Sequence, residues 1–286
     1  MRVALSMLVI FSLCAAGCER KPAPTATREP APHESVAPAP ATSAPVPPSQ
    51  ASAVASATAG KPAVTDTLET SAGPVTVTPI VHGTVALGFS GKTIVIDPYG
   101  KAPPGSLPKA DLVLITDIHP DHYDPEAISA VRKTDTLFVA PAVVAEKLTE
   151  AKVLKNGEKL ELLGVRIEAL PMYNLKRGPE AGKLFHDKGR GNGYLLGFGD
   201  KKVYLSGDTE CTSEMKALKK VDLAFVCMNL PYTMPPEEAA ECVKAFKPAV
   251  VIPYHYRGSD PKAFQSALAE TKGVEVRVRD FYAGGG

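Results

Sequence analysis

From about residue 74 onward the apolar positions fall into short runs, not long helical stretches. Val75 and Val77, then Pro79-Ile80-Val81, then Val85, Leu87 and Phe89 alternate with polar or small residues, the pattern of half-buried strands. Gly88 and the Gly91-Lys92 pair are expected to break these runs as turns. Ile94-Val95-Ile96 forms the next strand, closed by Asp97-Pro98. Residues 112–115, Leu-Val-Leu-Ile, are continuously apolar, which a strand covered on both faces requires. Further strands are predicted at 137–139, 165–170, 194–198, 203–205, 223–226, 250–252 and 274–278, with a hairpin across Gly199-Asp200. Helices are predicted at 125–131 and 235–246, both opening on proline, and at 141–148 and 261–269. In the second, Ala239, Val243 and Phe246 share one face. Strands that begin as hairpins and then alternate with helices predict an α/β domain of two sheets covered by helices.

The first 73 residues have a different character. Met1-Arg2 supplies one charge, and residues 3–13 are apolar but shorter than the ~20 residues a membrane-spanning helix needs. Ala15, Ala16 and Gly17 lead to Cys18, the order of a secretory signal ending in a lipobox-like site. Residues 1–17 are therefore expected to be a lipoprotein signal peptide, and Cys18 the lipidated first residue of the mature chain. Residues 18–73 are dominated by Pro, Ala, Ser and Thr, include a solvated His33, and lack the large aliphatics needed to offset ordering entropy. They are expected to be a disordered, semi-extended tether. The expected location is outside the cytoplasm on a membrane, with Glu19 (not Asp) after the lipid site favouring an outer one.

Composition narrows the function. The 286 residues carry a formal net charge of +1, so no basic surface favours a nucleic-acid partner. Cys211, Cys227 and Cys242 are an odd number without close pairing spacing, and no disulfide framework is expected. Cys227 and Cys242 read as small buried apolar residues.

Residues 116–124 read Thr-Asp-Ile-His-Pro-Asp-His-Tyr-Asp, directly after a buried strand. Asp117, His119, Asp121 and His122 crowd imidazole and carboxylate donors into one loop, a mixture that suits zinc and also manganese or iron. His186 lies in a Gly-rich segment, Asp208 follows the strand at 203–205, and His255 follows the strand at 250–252. Aligned strands would bring all of these to one edge.

In this order, Asp-x-His-x-Asp-His, His, Gly-Asp and His, residues 74–286 resemble the metallo-β-lactamase superfamily. The nearer resemblance is to the branch of the ascorbate-phosphate lactonase, through Val81-His82-Gly83, Ile96-Asp97-Pro98, Tyr173-Asn174, Phe185-His186 and Gly207-Asp208-Thr209. The resemblance implies an αββα sandwich with two divalent metal ions at one edge. Asp117, His119 and His186 would hold one ion, Asp121, His122 and His255 the other, and Asp208 would bridge them. It further implies a hydrolase whose metal-activated hydroxide attacks an ester, lactone or phosphoester, with Asp121 orienting the water. Asp117 stands where the superfamily usually has His. His82 would support the metals from outside. Lys188, Arg190 and Arg257 would form a rim for an anionic small molecule, and Tyr173, Tyr232, Tyr254 and Tyr256 are candidates to shape a pocket. The alternatives are an iron-dependent redox or sulfur-oxidising enzyme on the same scaffold, and a non-catalytic metal-binding module.

Overall fold

A computed structural model describes residues 64–283; the signal segment, Cys18, His33 and most of the predicted tether lie outside the described residues. Two seven-stranded sheets make up the fold. The first runs in chain order through β1 (Asp66–Leu68), β2 (Val75–Val81), β3 (Thr84–Phe89), β4 (Lys92–Ile96), β5 (Leu112–Leu114), β6 (Leu137–Ala140) and β7 (Lys152–Val153). The second holds β8 (Lys159–Leu162), β9 (Val165–Met172), β10 (Gly191–Phe198), β11 (Lys201–Leu205), β12 (Leu223–Cys227), β13 (Val250–Tyr254) and β14 (Glu275–Val276). Each sheet begins as an antiparallel meander and turns parallel at its fourth strand, β4–β5 in one and β11–β12 in the other.

The apolar run at 112–115 explains the layering. Leu112 and Leu114 face the core between the sheets, while Val113 and Ile115 face the opposite way into a second cluster with Ile128 and Val131. The latter pair belongs to helix α1 (Pro125–Val131), whose first amides are capped by Asp124. Phe89 and Phe198 meet across the sheets at 5.0 Å between ring centres. Helices α2 (Ala142–Ala145), α3 (Ser213–Lys216), α4 (Pro236–Phe246) and α5 (Pro261–Ala267) complete the set. α4 buries Ala239, Val243 and Phe246, the face expected from its spacing.

Four expectations are corrected. Gly88 sits inside β3, opposite Thr76, and is not a turn: a Cβ there would meet Thr76 Oγ1, so the position is kept free for a cross-strand neighbour. β1 lies within the stretch assigned to the tether, because Asp66 accepts from both Arg277 and Arg279 and ties that segment to the chain's far end. The folded part therefore starts before residue 74. Cys242 is not a lone apolar cysteine: it is disulfide-bonded to Cys211, with Cα atoms 5.5 Å apart. The two stand 31 positions apart in the chain, and only the fold brings α4 against the segment after Asp208. The alternation at 274–278 yields only the two-residue strand β14. Cys227 is buried and free, as expected.

Candidate metal centre

Every predicted donor lies in a segment that follows a strand or leads into one, and all converge on one edge of the two sheets. Asp117, His119, Asp121 and His122 follow β5, where the amides of His122 and Tyr123 both donate to the His119 carbonyl and fold the loop back on itself. Asp208 follows β11, His255 follows β13, and His186 precedes β10. Asp117, His119 and His186 offer ligand atoms within 4.8 Å of one another, and so do His122, Asp208 and His255. Asp208 joins the halves: its Oδ2 lies 3.5 Å from His186 Nε2 and 3.4 Å from His122 Nε2, and its Oδ1 lies 3.4 Å from His255 Nε2. Asp121 Oδ2 is 3.3 Å from His255 Nε2. Each half thus has two imidazoles and one carboxylate of its own, with Asp208 between them.

The fit to metal ions rests on atoms that nothing else satisfies. His122 Nε2, His186 Nε2, His255 Nε2 and Asp208 Oδ1 are buried without a hydrogen-bond partner among the described residues. Each such orphan costs about 1–3 kcal/mol. Their convergence makes sense when a cation occupies the space between them.

The opposite ring nitrogens show how the imidazoles are aimed. Asp97 accepts from His122 Nδ1 at 2.8 Å and is itself held by the Thr116 hydroxyl at 2.6 Å and the Thr116 amide at 2.8 Å. Asn174 Oδ1 accepts from His186 Nδ1 at 2.7 Å, and Asn174 Nδ2 donates to the Tyr232 carbonyl and to Glu210. With a proton on Nδ1 held by these acceptors, Nε2 is the nitrogen of both rings turned toward the metal space, where its lone pair becomes available to a cation that displaces any proton there. Reading the chain for ligands alone misses Asp97 and Asn174. Their signals were present as a polar residue closing an apolar strand and a Tyr-Asn pair after another.

His82 is placed beside the metals without being a ligand. Its Nε2 donates to Asp121 Oδ2 at 3.0 Å and its Nδ1 accepts from the Tyr282 hydroxyl at 2.7 Å, so both nitrogens are committed. Although His82, Asp121 and His255 also cluster within ligand distance, the ring that remains free is that of His255. His82, Asp97 and His255 all take left-handed backbone, with φ of 52°, 45° and 47°. For residues with a Cβ such geometry costs about 1–3 kcal/mol each, and it concentrates where a site must be held in place.

Burial and charge set the protonation pattern. Burial lowers His82 and His186 to about 4, keeping both rings neutral. Burial alone would lower His122 too, but Asp208 and Asp97 outweigh it and raise the ring well above its ordinary value. Burial pushes the Asp121 carboxyl upward, yet the nearby His255 ring, the hydrogen bond from His82 and the His122 ring leave it well below the usual carboxylate range. Asp208 is held low in the same way by His255 and His122 against the same burial.

A cleft of about 470 Å³ opens over the centre, lined by His82, Tyr99, His119, Asp121, Phe185, His186, Asn229, Tyr232 and Arg257 among others. Of the expected rim cations only Arg257 lines it. Lys188 is paired with Glu214 at 2.6 Å, and Arg190 turns to Asp117, donating at 2.7 and 3.2 Å. Of the four tyrosines considered, Tyr232 lines the cleft. Tyr254 is buried with its hydroxyl accepting from the Gly207 amide, Tyr256 donates to the Arg279 carbonyl, and Tyr173 donates to Glu214.

A two-sheet sandwich with carboxylates and imidazoles gathered at one edge defines a metallo-β-lactamase-fold enzyme. A family model for the β-lactamase superfamily domain matches residues 76–255. The chain is 31% identical over 220 residues to a UPF0173 metal-dependent hydrolase of Thermoplasma acidophilum, covering 70% of this chain and 93% of that protein. It is 30% identical over 204 residues to the corresponding protein of Thermococcus onnurineus, covering 65% and 88%. Among solved structures, a protein assigned as a metal-dependent hydrolase from Parabacteroides distasonis superposes with a TM-score of 0.71 at 40% identity, over 76% of this chain and 98% of that one. A metallo hydrolase of Ignicoccus hospitalis gives 0.61 at 26% identity, over 72% and 95%. The chain belongs to the UPF0173 metal-dependent hydrolase family of the metallo-β-lactamase superfamily.

Proposed function

We propose that this hydrolase acts outside the cytoplasm, tethered to a membrane through Cys18, on a small ester, lactone or phosphoester that carries an anionic group. The observation that carries the hydrolytic reading is the set of buried, unpartnered donors from His122, His186, His255 and Asp208 around one space. Two divalent ions, zinc or alternatively manganese or iron, fit those donors. When bound, such ions lower the pKa of water and hold the substrate oxygen as charge develops.

The chain's own residues supply the rest. Asp121 is the one carboxylate of the centre that is partly open to the cleft, its side chain 31% exposed. It is placed to orient a water and to take its proton. The His82 N–H holds the Asp121 carboxylate in that orientation, and Tyr282 holds His82. Arg257, whose guanidinium lies 5.6 Å from the centre of the Tyr282 ring, is placed to receive a carboxylate or phosphate on the substrate. Phe185 and Tyr232, 5.0 Å apart edge to face, add apolar surface to the cleft lining.

The Cys211–Cys242 disulfide supports the extracytoplasmic address, since such bonds persist in oxidising compartments. The signal-like start and Cys18 agree with it. Screening the metal-loaded enzyme against anionic lactones, of the kind the lactonase branch handles, and against phosphodiesters tests the substrate reading. Arg257→Ala is expected to raise KM for anionic members of the panel and leave kcat nearly unchanged. Equal effects on neutral and anionic substrates would remove Arg257 from that role. Incorporation of labelled palmitate into the wild type and not into Cys18→Ser tests the anchor.

A further inference from the structure

The two halves of the centre offer matched donors, yet their carboxylates have different neighbours. Asp121 is held by an imidazole, His82, at 3.0 Å. Asp117 is held by a guanidinium: Arg190 Nη2 donates to Oδ2 at 2.7 Å and Nε to Oδ1 at 3.2 Å. Asp117 has no solvent exposure and the Arg190 side chain has 23%, so this pair is poorly screened by water. The same Nη2 lies 3.4 Å from His119 Nε2. A ring that accepts there carries its proton on Nδ1, the nitrogen that lies 3.0 Å from Asp117 Oδ2. One cation therefore engages two of the three donors particular to this half.

The placement is built into the backbone. Asn192 N donates to the Thr116 carbonyl at 2.8 Å, joining the start of β10 to the residue before Asp117. A Cβ on Gly191 would stand 2.8 Å from that same carbonyl, and Gly189 has φ of +88°. Only glycine on both sides lets the chain bring Arg190 this close.

We propose that Arg190 makes the two metal positions unequal, so that the position bounded by Asp117, His119 and His186 binds its ion more weakly, filling last and emptying first. The guanidinium cancels the charge of the Asp117 carboxylate and competes for His119, while the Asp121 side keeps its full negative charge. This rests on the dinuclear reading above.

The test is calorimetric titration of the metal-free full-length protein with zinc, with metal content measured after dialysis. The wild type should show two unequal steps, and Asp117→Ala should abolish the weaker one. Arg190→Gln keeps a donor for Asp117 and removes the charge; it should tighten the weaker step by about tenfold or more, the range by which a ligand's outer partner shifts affinity. Arg190→Lys should keep the gap. Matching melting curves by circular dichroism establish that each variant is folded. An unchanged or weakened second step in Arg190→Gln, with two ions still bound by the wild type, overturns this proposal and leaves the metal centre standing. Absence of any uptake by the wild type removes the centre itself.

Discussion

Asp97 Oδ2 stands 2.8 Å from His122 Nδ1, and the same oxygen takes the Thr116 hydroxyl at 2.6 Å. A buried carboxylate thus decides which nitrogen of a buried imidazole faces the metals. In Asp97→Asn the amide oxygen is drawn to the Thr116 N–H that Oδ1 now accepts, which turns the NH2 group toward His122. His122 must then accept at Nδ1, and its proton moves to Nε2, where it blocks coordination. Metal affinity should fall about 10–100-fold, measured by competition with a chelator of known strength. Wild-type affinity in that variant would mean that Asp97 only fills space.

Asp121→Asn should keep the fold, because the side chain is partly exposed and its partners can bond an amide. Turnover should fall by about 100-fold or more, the usual contribution of a proton-transfer group. A variant with near wild-type kcat would place that role elsewhere.

The disulfide closes a loop between residues 31 apart in sequence, and it ties α4 to the segment three residues past Asp208. Cys211→Ser, or reduction of the wild type, should cost about 3 kcal/mol of stability, read as a lower midpoint in urea. An unchanged midpoint would show that the bond constrains little that the core does not already hold.

His82 gives a pH signature in the metal-free protein. Its folded value, about 4, lies below the ordinary 6.5, because burial disfavours the charged ring. Between these values the unfolded chain binds the additional proton. The stabilisation His82 contributes is therefore full above pH 6.5 and is lost as pH falls toward 4. His82→Asn tolerates the left-handed backbone and should lack this part of the acid limb. The stability gap between wild type and variant should narrow on acidification by at most about 3 kcal/mol. A gap independent of pH would contradict the neutral, buried state of the ring.

The sequence makes the ligands legible because they obey local rules: each follows or precedes an apolar strand, and the cluster at 117–122 is dense. The same rule locates Asp97 but says nothing of what it touches, since its partner His122 comes 25 residues later. Arg190 looks like a free rim cation in a Gly-rich segment. Only the joining of β10 to the loop after β5 shows that it belongs to Asp117. Cys211 and Cys242 could not be paired by spacing, because α4 returns to the Asp208 segment through tertiary packing. β1 lies in Pro/Ala-rich surroundings and gains its order from β2, Arg277 and Arg279, none of which is local.

The central claim is a dinuclear metal centre, and metal content tests it most directly. Full-length protein purified without chelators, then supplied with zinc, manganese or iron and dialysed, should hold about two equivalents by elemental analysis, one for each half of the donor set. His122→Ala should lose at least one of them. A wild type that holds none under any of these conditions would contradict the account, and the convergence of His122, His186, His255 and Asp208 would then need another explanation.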